Sequence, residues 1–106
     1  DGHSDYQRSF EDLLASKSIL NSSSNSLLVI GDARNNYRSI NKDTIDKLSK
    51  CFKDIYWMNP ERLQYWNTGD SRFMDFQQVC EYYSEVRNFK QLKDFIVKIN
   101  FKKVIR

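Results

Sequence analysis

The chain reads as an α/β domain, a partial parallel sheet of about three strands flanked by helices. Three observations predict this class. Apolar runs of strand length alternate with stripes at helical spacing from one end of the chain to the other. The run Leu27-Leu28-Val29-Ile30 stops abruptly in Gly31-Asp32, the pattern of a strand buried on both faces and ending at a sheet edge. Turn-forming clusters, Asn21 to Ser26 and Asn59-Pro60 among them, separate the segments.

Taken in order, Ser4-Asp5-Tyr6-Gln7 fits a capping box with Ser4 as N-cap. Phe10, Leu13 and Leu14 then continue a helix over roughly 5–19, with Asp5 in its first turn, where a negative charge suits the dipole. The polar stretch 21–26 is a surface loop. Leu27–Gly31 is the first strand and, by hydrophobicity, the central one. A loop from Asp32 to about Ile40 follows. Asn41 is placed to cap a helix whose apolar face is Ile45, Leu48 and Phe52. Ile55–Met58 is the second strand, closed by Asn59-Pro60, because proline cannot donate to a ladder. Residues 62–70 read as irregular with a helical turn. Asp70 or Ser71 is placed to cap a helix carrying Phe73, Phe76 and Cys80. Tyr82–Val86 is the third strand, and a last helix shows Phe89, Leu92, Ile96 and Ile99 as one stripe. Strand–helix–strand alternation calls for right-handed crossovers. An apolar first strand left at a sheet edge is a feature proteins avoid, so a further strand is expected beside it.

With 106 residues, 40% hydrophobic and 14% aromatic, the chain suffices for one domain with one core. Net charge is +3, and basic residues are interleaved with acidic ones except in the tail, Lys102-Lys103 and Arg106. That spread argues against a nucleic-acid binder, which clusters its basic residues on one face. Cys51 and Cys80 form no CxxC pair and His3 is the one histidine, which argues against zinc. Two buried thiols in a reducing compartment are expected rather than a disulfide. No stretch is apolar for long enough to span a membrane, and the first residues do not resemble a signal peptide, so a cytoplasmic chain is expected.

Asp32 stands where ligands bind in open α/β sheets, just beyond a strand's carboxyl end. A carboxylate there binds a cation, caps a helix or holds a loop, and the sequence leaves all three open. Arg34, Asn35 and Asn36 form a loop of donors at the same edge, suited either to a partner's carboxylate or to tying the loop to Asn59 and Glu61. Trp57 and Trp66 read as packing residues. Gly69-Asp70 lacks the Gly-rich run and Lys-Ser/Thr of a phosphate loop, which argues against nucleotide binding. His3 alone supplies no nucleophile–base set, so no enzyme is expected.

Four segments in the same order resemble one family. Leu28-Val29-Ile30-Gly31-Asp32-Ala33-Arg34-Asn35-Asn36-Tyr37 resembles the LGDGRNNY signature of CoxE-like von Willebrand factor A (VWA) domain proteins. Trp57-Met58-Asn59-Pro60-Glu61 is similar to their WLNPE segment, Trp66-Asn67-Thr68-Gly69-Asp70-Ser71 to their W.TGDS, and Glu85-Val86-Arg87-Asn88-Phe89-Lys90-Gln91-Leu92 to their EVRNLRQL. Gly2-His3-Ser4-Asp5-Tyr6 also resembles their GGTDY.

The resemblance implies a three-layer Rossmann-like VWA fold, with residues 1–106 as the C-terminal half of the domain. The family's first strand, which carries the Asp-x-Ser-x-Ser part of the metal-ion-dependent adhesion site (MIDAS), has no counterpart here and would lie beside Leu27–Gly31. The resemblance places Ser4 where the family has its metal-site Thr, and Asp32 at the metal-site Asp. It implies Mg²⁺ as cofactor, although two oxygens are too few for an octahedral site. It further implies a protein-interaction module that binds a partner's carboxylate, with a MoxR-type AAA+ ATPase as partner in complex remodelling or metal-centre maturation. The alternative is a metal-free structural α/β fragment, able to form a homodimer through its exposed sheet edge. A phosphoryl-transfer or hydrolase enzyme is the least supported reading.

Overall fold

The computed structural model describes residues 5–16, 24–35 and 38–105, with side chains described as far as Asn100. Its three strands, β1 (Ser26–Ile30), β2 (Asp54–Asn59) and β3 (Tyr82–Glu85), form a parallel sheet in the order β1-β2-β3. Helices α1 (Tyr6–Leu14), α2 (Lys42–Cys51), the four-residue α3 (Phe73–Phe76) and α4 (Phe89–Ile105) flank it, with 3-10 turns at Leu63–Tyr65 and Gln77–Val79. This is an α/β arrangement consistent with a Rossmann-like fold, as the alternating pattern predicts.

Strand β2, not β1, is the central strand. Every residue from Asp54 to Asn59 is buried, whereas β1 alternates between exposed and half-buried. The reason lies in what covers each face. On one face Leu27, Val29, Ile55, Trp57 and Tyr83 pack under α1, α2 and α3 around Phe10, Leu48, Phe73 and Phe76. On the other, α4 lays Leu92, Phe95 and Ile99 over Tyr56, Met58 and Tyr82. That second layer does not reach β1, so Leu28 and Ile30 remain 45% and 71% exposed.

Several local expectations are corrected by longer-range contacts. The N-cap of α1 is Asp5, whose Oδ1 accepts the Arg8 N–H at 3.0 Å. Ser4 lies outside the described residues, as do His3, Asn36 and 17–23. Helix α1 ends at Leu14 rather than near residue 19, closed by Ala15 N–H on Glu11 O and Ser16 N–H on Leu13 O. The capping box expected between Ser4 and Gln7 falls partly outside the described residues; the described bonds of Gln7 run to α2 and to Glu11. Gln7 Oε1 accepts the Asn41 N–H at 2.9 Å and its Nε2 donates to Thr44 Oγ1 at 2.8 Å. Gln7 thus caps the start of α2 from a neighbouring helix, while the Asn41 side chain makes no cap bond. Of the two caps expected for α3, Asp70 is drawn to Arg34, and it is Ser71 whose Oγ accepts the Phe73 N–H, at 3.5 Å. In α4 the inward seam is Leu92-Phe95-Ile99, because Phe95 nests against the Tyr82 ring at 5.3 Å. Phe89 and Ile96, expected in the stripe, are 82% and 47% exposed. Asn88 Oδ1 accepts the Gln91 N–H and starts this helix.

Cys51 and Cys80 are free thiols, and burial pushes Cys80 up to about 12. No helix among the described residues is long and apolar enough to cross a membrane.

Candidate functional site

The strand-end loop that follows β1 is built from the inside outwards. Gly31 N–H extends the ladder to Met58 O at 3.0 Å, and its carbonyl accepts Trp57 Nε1–H at 2.8 Å. A Cβ on Gly31 would run into the Tyr6 hydroxyl, so the sequence needs glycine at this close approach. That hydroxyl accepts the Ala33 N–H at 3.1 Å and turns its own proton towards Asp32 Oδ1 at 3.5 Å. Burial, first of all, raises the Tyr6 phenol above its usual value, with the nearby Asp32 charge acting in the same direction.

Asp32 Oδ1 also accepts the Arg34 N–H at 2.9 Å, an Asx-type turn closed two residues on. Between them Ala33 takes a left-handed conformation, φ 62°, that non-glycine residues rarely adopt. It is held there from both sides. Its N–H is on Tyr6, its carbonyl accepts Arg72 N–H at 2.7 Å, and its methyl is fully buried. Both described bonds to the Asp32 carboxylate end on Oδ1; none ends on Oδ2.

Arg34 turns inward. Its Nε and Nη2 meet Glu61 Oε2 at 3.0 and 2.9 Å, and its Nη1 reaches Asp70 Oδ1 and Thr68 O, both at 3.0 Å. Bonding to Glu61, then to Asp70, raises the guanidinium further above its usual range. The backbone completes the clamp, with Arg34 bridged antiparallel to Ser71 and Asn35 N–H on Asp70 O. Asn35 is fully buried; its Oδ1 accepts the Tyr6 N–H at 2.8 Å and its Nδ2 donates to Arg38 O at 2.9 Å. Of the two roles open for this donor loop, the geometry therefore selects the internal tie to Glu61. Among the described residues no bond joins Asn59 to the loop; its Oδ1 accepts the Glu61 N–H at 2.9 Å.

Two buried polar atoms lie beside this edge. The Asn59 Nδ2 donor and the Glu61 Oε1 acceptor have no hydrogen-bond partner among the described residues. Since Ile30 is in register with Met58, Asn59 sits next to Gly31 at the same carboxyl end of the sheet. Trp57 and Trp66 are buried packing residues whose rings meet Phe73 edge-on.

Of the two expected metal ligands, the structure places Asp32 at the strand end. The other, Ser4, lies outside the described residues. Among the described residues no group of three or more His, Cys, Asp or Glu side chains gathers as a metal-binding set. Asp32 Oδ2 and Glu61 Oε1 are the carboxylate oxygens at this edge with no described partner, too few for an octahedral Mg²⁺ shell. Sequence reasoning missed Tyr6 as the residue that pins the loop, and Asp70 as the second anion on Arg34. These partners stand 27 and 36 positions away, where no local signal reports them.

Comparison with protein-family models, curated proteins and solved structures returned no significant match.

Proposed function

We propose that the carboxyl edge of the sheet around Asp32 is a binding face for a protein partner, of the VWA type that the sequence segments resemble. The observation that carries this reading is the Asp32 carboxylate itself. Tyr6 and the Arg34 amide fix one of its oxygens, and no described bond engages the other. The buried and unpartnered Asn59 Nδ2 and Glu61 Oε1 add a donor and an acceptor at the same edge, and polar atoms in that state call for a non-protein partner such as water or an ion.

In this reading Asp32 contributes one ligand to a Mg²⁺ ion, with the remaining ligands drawn from Ser4 and from residues beyond those described. Bound Mg²⁺ would supply an open coordination position for a partner's carboxylate. The work of this chain's own residues is preorganisation. Ala33 is locked in a left-handed turn, Arg34 anchors the loop to Glu61 and Asp70, and Tyr6 sets the carboxylate's orientation. A MoxR-type AAA+ ATPase is the proposed partner class and the cytoplasm the proposed compartment, the latter in keeping with two free thiols. Catalysis is not proposed, because His3 as the one histidine supplies no nucleophile–base set.

The alternative is a metal-free structural module. It is favoured by the inward-turned Arg34 and by the lack, among the described residues, of any group of three or more side chains that could hold a metal. Thermal unfolding with and without Mn²⁺ separates the two. A ligand that binds only the folded chain raises its melting temperature. The binding reading expects a rise that Asp32→Ala abolishes. No rise, or an equal rise in Asp32→Ala, favours the structural module.

A further inference from the structure

We draw no further inference here: the strongest candidate, the apolar groove along α4 between Phe89, Leu92, Ile96 and Val97, is an unpartnered helix face, and nothing in the structure shows what covers it.

Discussion

The Tyr6 hydroxyl accepts the Ala33 amide N–H at 3.1 Å. It joins the first turn of α1 to a residue of left-handed backbone just past β1. The geometry of the strand-end loop rests on this contact, because Ala33 is buried and its N–H has no water to turn to. Tyr6→Phe leaves that donor unsatisfied and is expected to cost about 1–3 kcal/mol in denaturant unfolding. The pH dependence has a definite sign. The folded-state phenol titrates above its model value of 10.0, so its contribution is complete below that pH and is lost as pH rises through the higher folded value. Tyr6→Phe should flatten this alkaline limb.

Gly31 lies against the same hydroxyl. Adding a methyl group forces Tyr6 to move, yet Tyr6 is held by Ala33 and stacks near Trp57 at 5.8 Å. Gly31→Ala is therefore expected to destabilise the fold by about 1–3 kcal/mol, as overpacking does. Combined with Tyr6→Ala, which opens the space, the Gly31→Ala penalty should largely vanish. A double-mutant cycle measures that coupling.

Arg34 presents a planar fork that lysine cannot reproduce, meeting Glu61 through two nitrogens and Asp70 through a third. Its side chain is 25% exposed, so solvent screens part of the interaction. Arg34→Lys is expected to cost roughly 1–2 kcal/mol after that discount. Unfolding curves at low and high salt check it, since the deficit should shrink as salt rises.

Glu85 closes the far end of β3. It accepts the Leu63 N–H at 2.8 Å and Gln91 Nε2–H at 3.0 Å, with Arg87 nearby. These bonds, led by the Leu63 amide, hold its carboxyl below the usual range. A lowered folded-state value gives stability that is present above the unfolded pKa and lost as pH falls through the folded one. Glu85→Gln should thus be least felt in strong acid and most felt near neutrality, which an acid titration of stability reads directly.

Much of the fold is legible in the chain because its period is local. Alternation of strands and helices, the breaks at Asn59-Pro60 and Gly31-Asp32, and the apolar face of α2 follow from residues a few positions apart. The centre of the sheet is not. β1 is the more hydrophobic strand, but burial is decided by the layers on each side, and α4 covers β2 and β3 only. The inward seam of α4 is hidden in the sequence for a related reason. Phe89 and Ile96 share the helical period, and only the Tyr82 ring fixes which seam turns inward. At the candidate site, the position of Asp32 is readable from the end of an apolar run. The choice of internal partners for Arg34 is not, since Glu61 and Asp70 arrive from a distant turn.

The most direct test of the Asp32 edge is site-resolved Mn²⁺ relaxation in the amide spectrum of the 106-residue chain. Paramagnetic broadening is expected to centre on Asp32, Ala33 and Arg34, to reach Gly31 and Asn59, and to disappear in Asp32→Ala. Broadening centred on other carboxylates, or a strand-end pattern that survives Asp32→Ala, would contradict a ligand role for this residue.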